Sequence, residues 1–199
     1  MKYMWEGRFQ EKTEEDVINF TSSLAIDKKL ALYDIEGSMG HTKMLVKCRI
    51  INRKDGDKII SGLKKVKAEI EEGKFKFIPS DEDIHTAIER RLIEISGKSG
   101  ERLHTARSRN DQIVLDERLY LKDVLARMLS LTATLQKKFV EKAEQNFSAI
   151  MPAYTHLQQS QPVLLSHYLL AYVEMLERDK TRMKEAYKRV DILPAGVCA

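Results

Sequence analysis

The chain has 199 residues, 43% hydrophobic and 32% charged, with 34 basic against 30 acidic side chains and a formal net charge of +4. Such a composition excludes a disordered polar tract, and charge this mild and evenly mixed argues against a nucleic-acid binder, which needs a concentrated basic face. The length suffices for one or two domains with a sizeable core.

The first twenty residues carry Lys2, Glu6, Arg8, Glu11, Lys12, Glu14, Glu15 and Asp16, from which neither a signal peptide nor a membrane span can be built. Thr13-Glu-Glu-Asp16 reads as a capping box opening a first short helix over about 14–24. Further helices are predicted over about 28–52 and 57–72, punctuated by Gly56 and by Gly73 with Pro79. Ser80-Asp-Glu-Asp83 is a second capping box, opening a helix over about 81–95, and Gly97 and Gly100 then bound a turn. These pieces form a small-helix domain over residues 1–111.

From Gln112 to about Phe147 apolar residues recur at helical spacing: Leu121, Leu125, Leu129, Leu131, Leu135, Phe139 and Ala143. That predicts one helix about 36 residues and about 54 Å long. After a proline-bounded link, Met151 to Gln161, Pro162 suits the start of a second long helix over 163–190, with Leu165, Leu169, Tyr172, Leu176, Met183, Ala186 and Val190 on one side. No alternating strand pattern stands out. The expected fold is all-α: residues 1–111 as a small helical domain, and 112–199 as the first, incomplete part of an elongated helix bundle. Two long helices cannot bury their apolar faces alone, and the end at Asp191-Ile-Leu-Pro-Ala-Gly-Val-Cys-Ala199 reads as a cut. Cys48 and Cys198 fit no ligand spacing and read as free thiols of a reducing, cytoplasmic compartment, so Asn19-Phe-Thr21 and Asn146-Phe-Ser148 are chance glycosylation triplets.

The densest recognition chemistry lies in Glu101-Arg-Leu-His-Thr-Ala-Arg-Ser-Arg-Asn-Asp-Gln112, at the mouth of the long helix. Guanidinium forks and short hydroxyls suit a carboxylate, though a solvated basic turn or a phosphate contact has the same composition. Gly97-Lys98-Ser99 mimics the end of a phosphate loop, but Leu92 stands where that pattern needs glycine. A second segment, Met151-Pro-Ala-Tyr-Thr-His-Leu-Gln-Gln-Ser-Gln-Pro162, sets Thr155, His156 and Gln158 between the long helices. A lone histidine is more often structural, but this one sits in a linker beside threonine and glutamine, and imidazole titrates near neutrality. The acid-rich start and basic end of Asp81 to Leu92 need only a helix dipole. His41, His85, His104, His156 and His167 form no metal-ligand spacing, so no metal is expected.

Together these segments resemble the argininosuccinate lyases of the fumarase/aspartase superfamily. The resemblance rests on Trp5-Glu-Gly-Arg-Phe9, Asp34-Ile-Glu-Gly-Ser-Met-Gly-His41, Glu82 to Leu92, Arg102 to Gln112 and Tyr154-Thr-His-Leu-Gln158, in family order across nearly the whole chain. The arginine-rich loop is the specific part; the threonine–histidine pair belongs to the superfamily at large. The resemblance implies reversible elimination of argininosuccinate to arginine and fumarate, without metal or organic cofactor, by a homotetramer whose active sites draw on several subunits. It implies that Ser108, Arg109 and Asn110 grip the fumarate portion, that Thr155, Gln158 and Ser23 contact substrate, and that His156 transfers a proton. Ala153 stands where glycine is common. The family's third region, a glycine–serine loop followed by Met-Pro-Lys-Asn, has no counterpart in these residues, so the 199-residue chain is expected to be inactive alone. The same fold also serves as a lens crystallin, which makes a non-catalytic structural protein the alternative expectation.

Overall fold

A computed structural model describes residues 14–78 and 81–194. The described residues form two compact units, one of those up to Glu117 together with Leu193 and Pro194, and the other of Arg118–Ile192. The fold is mostly helical, as expected, with one small sheet.

In the first unit, α1 (Glu15–Thr21) and α2 (Leu24–Asp27) lead through a 3-10 turn at Lys28–Leu30 into α3 (Ala31–Lys47), α4 (Arg53–Glu71) and α5 (Ile84–Ser96). The core is aliphatic: Ile35 and Leu45 of α3, Ile59, Leu63 and Val66 of α4, and Ile84, Ile88 and Leu92 of α5 are fully buried. In α4 and α5 a spacing of three or four residues turns one stripe inward, and in α3 the buried Ser38 and Thr42 continue that spacing between Ile35 and Leu45. Gly62 lets α4 and α5 approach, because a Cβ there would run into Leu92 Cδ1 and Ser96 Oγ.

The element boundaries correct the sequence expectation at several points. The helix expected over 28–52 is α3, ending at Lys47. It closes with Arg49 at φ 60°, while Arg49 N donates to Val46 O at 3.0 Å and Ile50 N to Leu45 O at 2.9 Å. This is the Schellman pattern with arginine in the left-handed position. Gly73, at φ 67°, closes α4 in the same way, and there the glycine makes the stop legible. Helix α4 starts at Arg53 rather than 57, because the Asn52 side chain caps it by accepting from Asp55 N at 2.8 Å. Gly56, expected as punctuation, is therefore inside α4, against Val46. Helix α5 is capped by Asp83, whose carboxylate accepts from Thr86 N at 2.6 Å, so it starts three residues later than expected. The expected caps Thr13 and Ser80 lie outside the described residues.

After α5 a 3-10 helix, Gly97–Arg102, and a turn lead into α6 (Arg109–Gln145), 37 residues long. In the second unit, α7 (Leu165–Val190) returns along α6: Gln136 Nε2 donates to Val173 O at 3.0 Å, the Phe139 and Tyr172 rings stack at 5.9 Å, and Lys122 pairs with Asp191. Among the described residues of this unit, Ala143 is the one buried apolar side chain. Leu121, Met128, Leu131, Leu135, Leu170 and Met175 are exposed.

The segment between the long helices is not a plain link. It is an antiparallel hairpin of β1 (Ile150–Thr155) and β2 (Gln158–Leu164). Pro162 opens no helix; it pairs with Pro152 across the hairpin, and α7 begins at Leu165. Two prolines are tolerated because each strand has a free edge. A bulge sets Ala153 opposite Ser160 and Gln161.

Candidate functional site

The loop before α6 is held by its own polar side chains. Ser108 caps the helix: its Oγ accepts from Asn110 N at 3.2 Å, and Ser108 N donates to Asp111 Oδ2 at 3.1 Å. That reciprocal pair is a capping box with aspartate as third partner, and it fixes Ser108, Arg109 and Asn110 at the positive end of a long helix. Arg109 Nη1 donates to Gln112 Oε1 at 2.7 Å, and its guanidinium lies 3.7 Å from Asp83 and 3.6 Å from Glu89. Asn110 is exposed. Just upstream, Arg107 Nη1 donates to Ser38 Oγ at 3.2 Å and its Nε is buried without a partner. His41 Nε2 lies 2.9 Å from Thr105 O. Burial lowers the His41, His104 and Arg107 pKa values from their ordinary positions.

Ser23 reaches the same unit from the other side. Its Oγ donates to Asp27 Oδ2 at 2.6 Å, its backbone N donates to Glu82 O at 3.1 Å, and Asp27 Oδ1 accepts from Ile84 N at 3.2 Å. Ser23 and Arg109 thus converge on residues 82 and 83 at the start of α5. Thr155, His156 and Gln158 lie together in the second unit, at the tip of the hairpin. Thr155 and Gln158 are cross-strand partners, and His156 and Leu157 make the two-residue turn with φ of 51° and 63°. Both central residues of a type I′ turn need positive φ, which asparagine and glycine accept far better than histidine and leucine. Leu157 is 97% exposed, so nothing hydrophobic recompenses that backbone.

Beneath the arginine loop lies a buried polar cluster that local sequence patterns leave unmarked. Asp34 of α3, His85 of α5 and Asp116 of α6 have side chains only 1–2% exposed. His85 Nδ1 is 3.3 Å from both Asp34 Oδ1 and Asp116 Oδ2, and Gln112 Nε2 donates to Asp34 Oδ1. Gln112 therefore joins Arg109 to the buried cluster. Burial acts to raise the Asp34 pKa, but hydrogen bonds from His85 and Gln112 and the charge of His85 bring it net below the usual carboxylate range. Asp116 has no such donors: burial, reinforced by Asp34, pushes it up to about 9. The three residues bring one ligand atom each within 4.8 Å, a spacing that a cation can use. The Arg107 guanidinium, which acts on both carboxylates, stands against a divalent ion there. The signal available in the sequence is the pair of aspartates set among core positions, as Asp34 beside Ala31 and Ile35.

Known proteins share this chain's sequence and fold. A family model described as "Lyase" matches residues 7–199. The argininosuccinate lyase of Syntrophus aciditrophicus (strain SB) is 52% identical over 195 residues, covering 98% of this chain and 41% of that protein. The argininosuccinate lyase of Sulfurihydrogenibium sp. (strain YO3AOP1) is 49% identical, covering 98% of this chain and 42% of that protein. The chain thus spans about two fifths of the length of these relatives. Among solved structures, an EDDS lyase variant with bound fumarate superposes with a TM-score of 0.73 at 26% identity, over 90% of this chain and 35% of that one. A fumarate lyase from Mesorhizobium sp. BNC1, at 16% identity and a TM-score of 0.70, shares the fold over 96% of this chain. Matched over nearly its whole length, the chain belongs to the lyase family.

Proposed function

We propose that this chain is the part of an argininosuccinate lyase that supplies two of its three substrate-contacting regions, for reversible elimination of argininosuccinate to arginine and fumarate. The observation that carries the reading is the Ser108-Arg109-Asn110 run, capped at the start of α6 by Ser108 itself, in a chain about half identical to proteins of that name. A dicarboxylate suits this position, since backbone donors, the helix dipole and an arginine all favour negative charge. In the reaction a proton leaves the carbon beside a carboxylate while the guanidinium nitrogen departs, and charge accumulates on that carboxylate. Ser108, Arg109 and Asn110 hold the fumarate portion and stabilise that charge, with Ser23, Thr155 and Gln158 as further substrate contacts. His156, exposed at the hairpin tip, moves the proton. No metal or organic cofactor takes part.

Residues 1–111 act as the small domain and 112–199 as the first part of the bundle. The exposed apolar faces of α6 and α7 are covered in the whole protein, a homotetramer of the cytoplasm with no nucleic-acid or membrane partner. Among the described residues no helix is long and apolar enough to cross a membrane. The 199 residues by themselves turn over no argininosuccinate. A chimera in which they replace the matching segment of the Syntrophus relative tests the reading. Fumarate release, followed by ultraviolet absorbance, is expected to persist in the chimera; a folded tetrameric chimera without turnover would refute it.

A further inference from the structure

The Asp34–Asp116 pair poses a problem of donor supply. Two carboxylates present four acceptor oxygens in a site closed to solvent, and burying both as ions without partners is costly. His85 Nδ1 carries at most one hydrogen, yet it lies 3.3 Å from an oxygen of each. Gln112 Nε2 serves Asp34 Oδ1. That leaves Asp34 Oδ2 and both oxygens of Asp116 fully buried with no hydrogen-bond partner. The surrounding backbone and side chains give these three oxygens no donor, and a donor between the two carboxyl groups would satisfy them. One oxygen of each carboxyl group and a ring nitrogen of His85 lie within 4.8 Å of one another, so the two carboxyl groups are neighbours.

We propose that this donor is a proton held on Asp116, so that a neutral Asp116 acid and an ionised Asp34 share one hydrogen bond beneath the arginine loop. Asp34 is the ionised member because it has the donors, Gln112 and His85, while Asp116 has none. Two like charges this close in a dry site do not both ionise when a proton can join them. The surrounding charges fit this count. The loop before α6 presents Arg107 and His104, α6 presents Arg109, and α5 presents His85 and Glu89, while Ser38 of α3 holds Arg107. One anion beneath Arg107 and Arg109, rather than two, leaves more of their positive field for an anionic substrate. That consequence rests on the function proposed above; the proton itself does not.

The shared proton has a thermodynamic signature. Asp116 is pushed up to about 9 in the folded chain, against 3.8 for an ordinary aspartate, so between those values the folded state carries a proton that the unfolded state lacks. The contribution is fully present below the unfolded value and is lost as pH rises toward the folded one. Asparagine imitates a protonated acid in shape and cannot ionise.

The test uses the 199-residue chain and needs no substrate. Infrared spectra at pH 7 are expected to contain the carbonyl band of a buried protonated carboxyl, absent from Asp116→Asn. In thermal melts, Asp116→Asn is expected to match or exceed the native midpoint at pH 8, with the difference in its favour growing from pH 5 to pH 8. Asp34→Asn lowers the midpoint by about 5 °C or more, since it removes the anion that the donors face. Absence of the protonated-acid band from the native chain overturns the proposal, and that measurement stands whether or not the variants fold. An Asp116→Asn midpoint as low as that of Asp34→Asn also overturns it. So does a native midpoint raised by magnesium, manganese or zinc ions and insensitive to them in Asp116→Asn, because a cation would then be the missing partner.

Discussion

His156→Asn separates what the hairpin needs from what the reaction needs. His156 sits at φ 51° with its side chain exposed, so the substitution removes little packing. Asparagine is enriched several-fold over most residues in left-handed backbone and is preferred at the first central position of a type I′ turn. A non-glycine residue there carries about 1–2 kcal/mol of strain, of which asparagine recovers a part, so a gain of about 0.5 kcal/mol in hairpin stability is expected. Turnover should move the opposite way. Asparagine cannot accept and return a proton near neutral pH, and losing general acid–base help costs about 10²-fold or more, or about 2.7 kcal/mol in the barrier. Urea melts of the 199-residue chain measure the first effect, and the rate of fumarate release by the chimera measures the second, with the fall in kcat greater than the change in KM. Near-normal turnover in His156→Asn would make the histidine a turn residue and refute the assigned role. A variant that loses both stability and turnover would refute the separation, because misplacement of Thr155 and Gln158 would then explain the lost activity.

Three further outcomes follow from the first unit. Asn110→Leu in the chimera should raise KM and lower kcat together, since it leaves a substrate carboxylate unpaired in ground and transition states alike; unchanged kinetics would remove Asn110 from the site. Leu63→Ala in the 199-residue chain should cost about 2–5 kcal/mol by urea denaturation, as expected for a fully buried leucine of α4, and a loss below about 1 kcal/mol would contradict that burial. Gly62→Ala should destabilise by about 1–3 kcal/mol, because the new methyl meets Leu92 and Ser96, whereas Gly40→Ala, with open space around it, should leave the melting midpoint unchanged or higher.

Part of this fold is written in short-range pattern. Apolar residues three and four apart announced α6 and α7, and Gly73 announced where α4 stops. The arginine-rich loop and the Thr-His pair carried the likeness to argininosuccinate lyases in residue order alone. Elsewhere the local signal was missing or misleading. The hairpin went unread because Pro152 and Pro162 speak against strands and His156-Leu157 is a poor type I′ turn, so pairing across the strands, not propensity, holds that backbone. Arg49 stops α3 in a conformation that ordinarily asks for glycine, and the carbonyls of Leu45 and Val46 are what secure it there. Asp34, His85 and Asp116 stand 51 and 31 residues apart along the chain, and only the packing of α3, α5 and the start of α6 turns them into one buried site. Tertiary structure decided their chemistry because a carboxyl group's charge depends on the solvent and donors around it, and no window of sequence contains those.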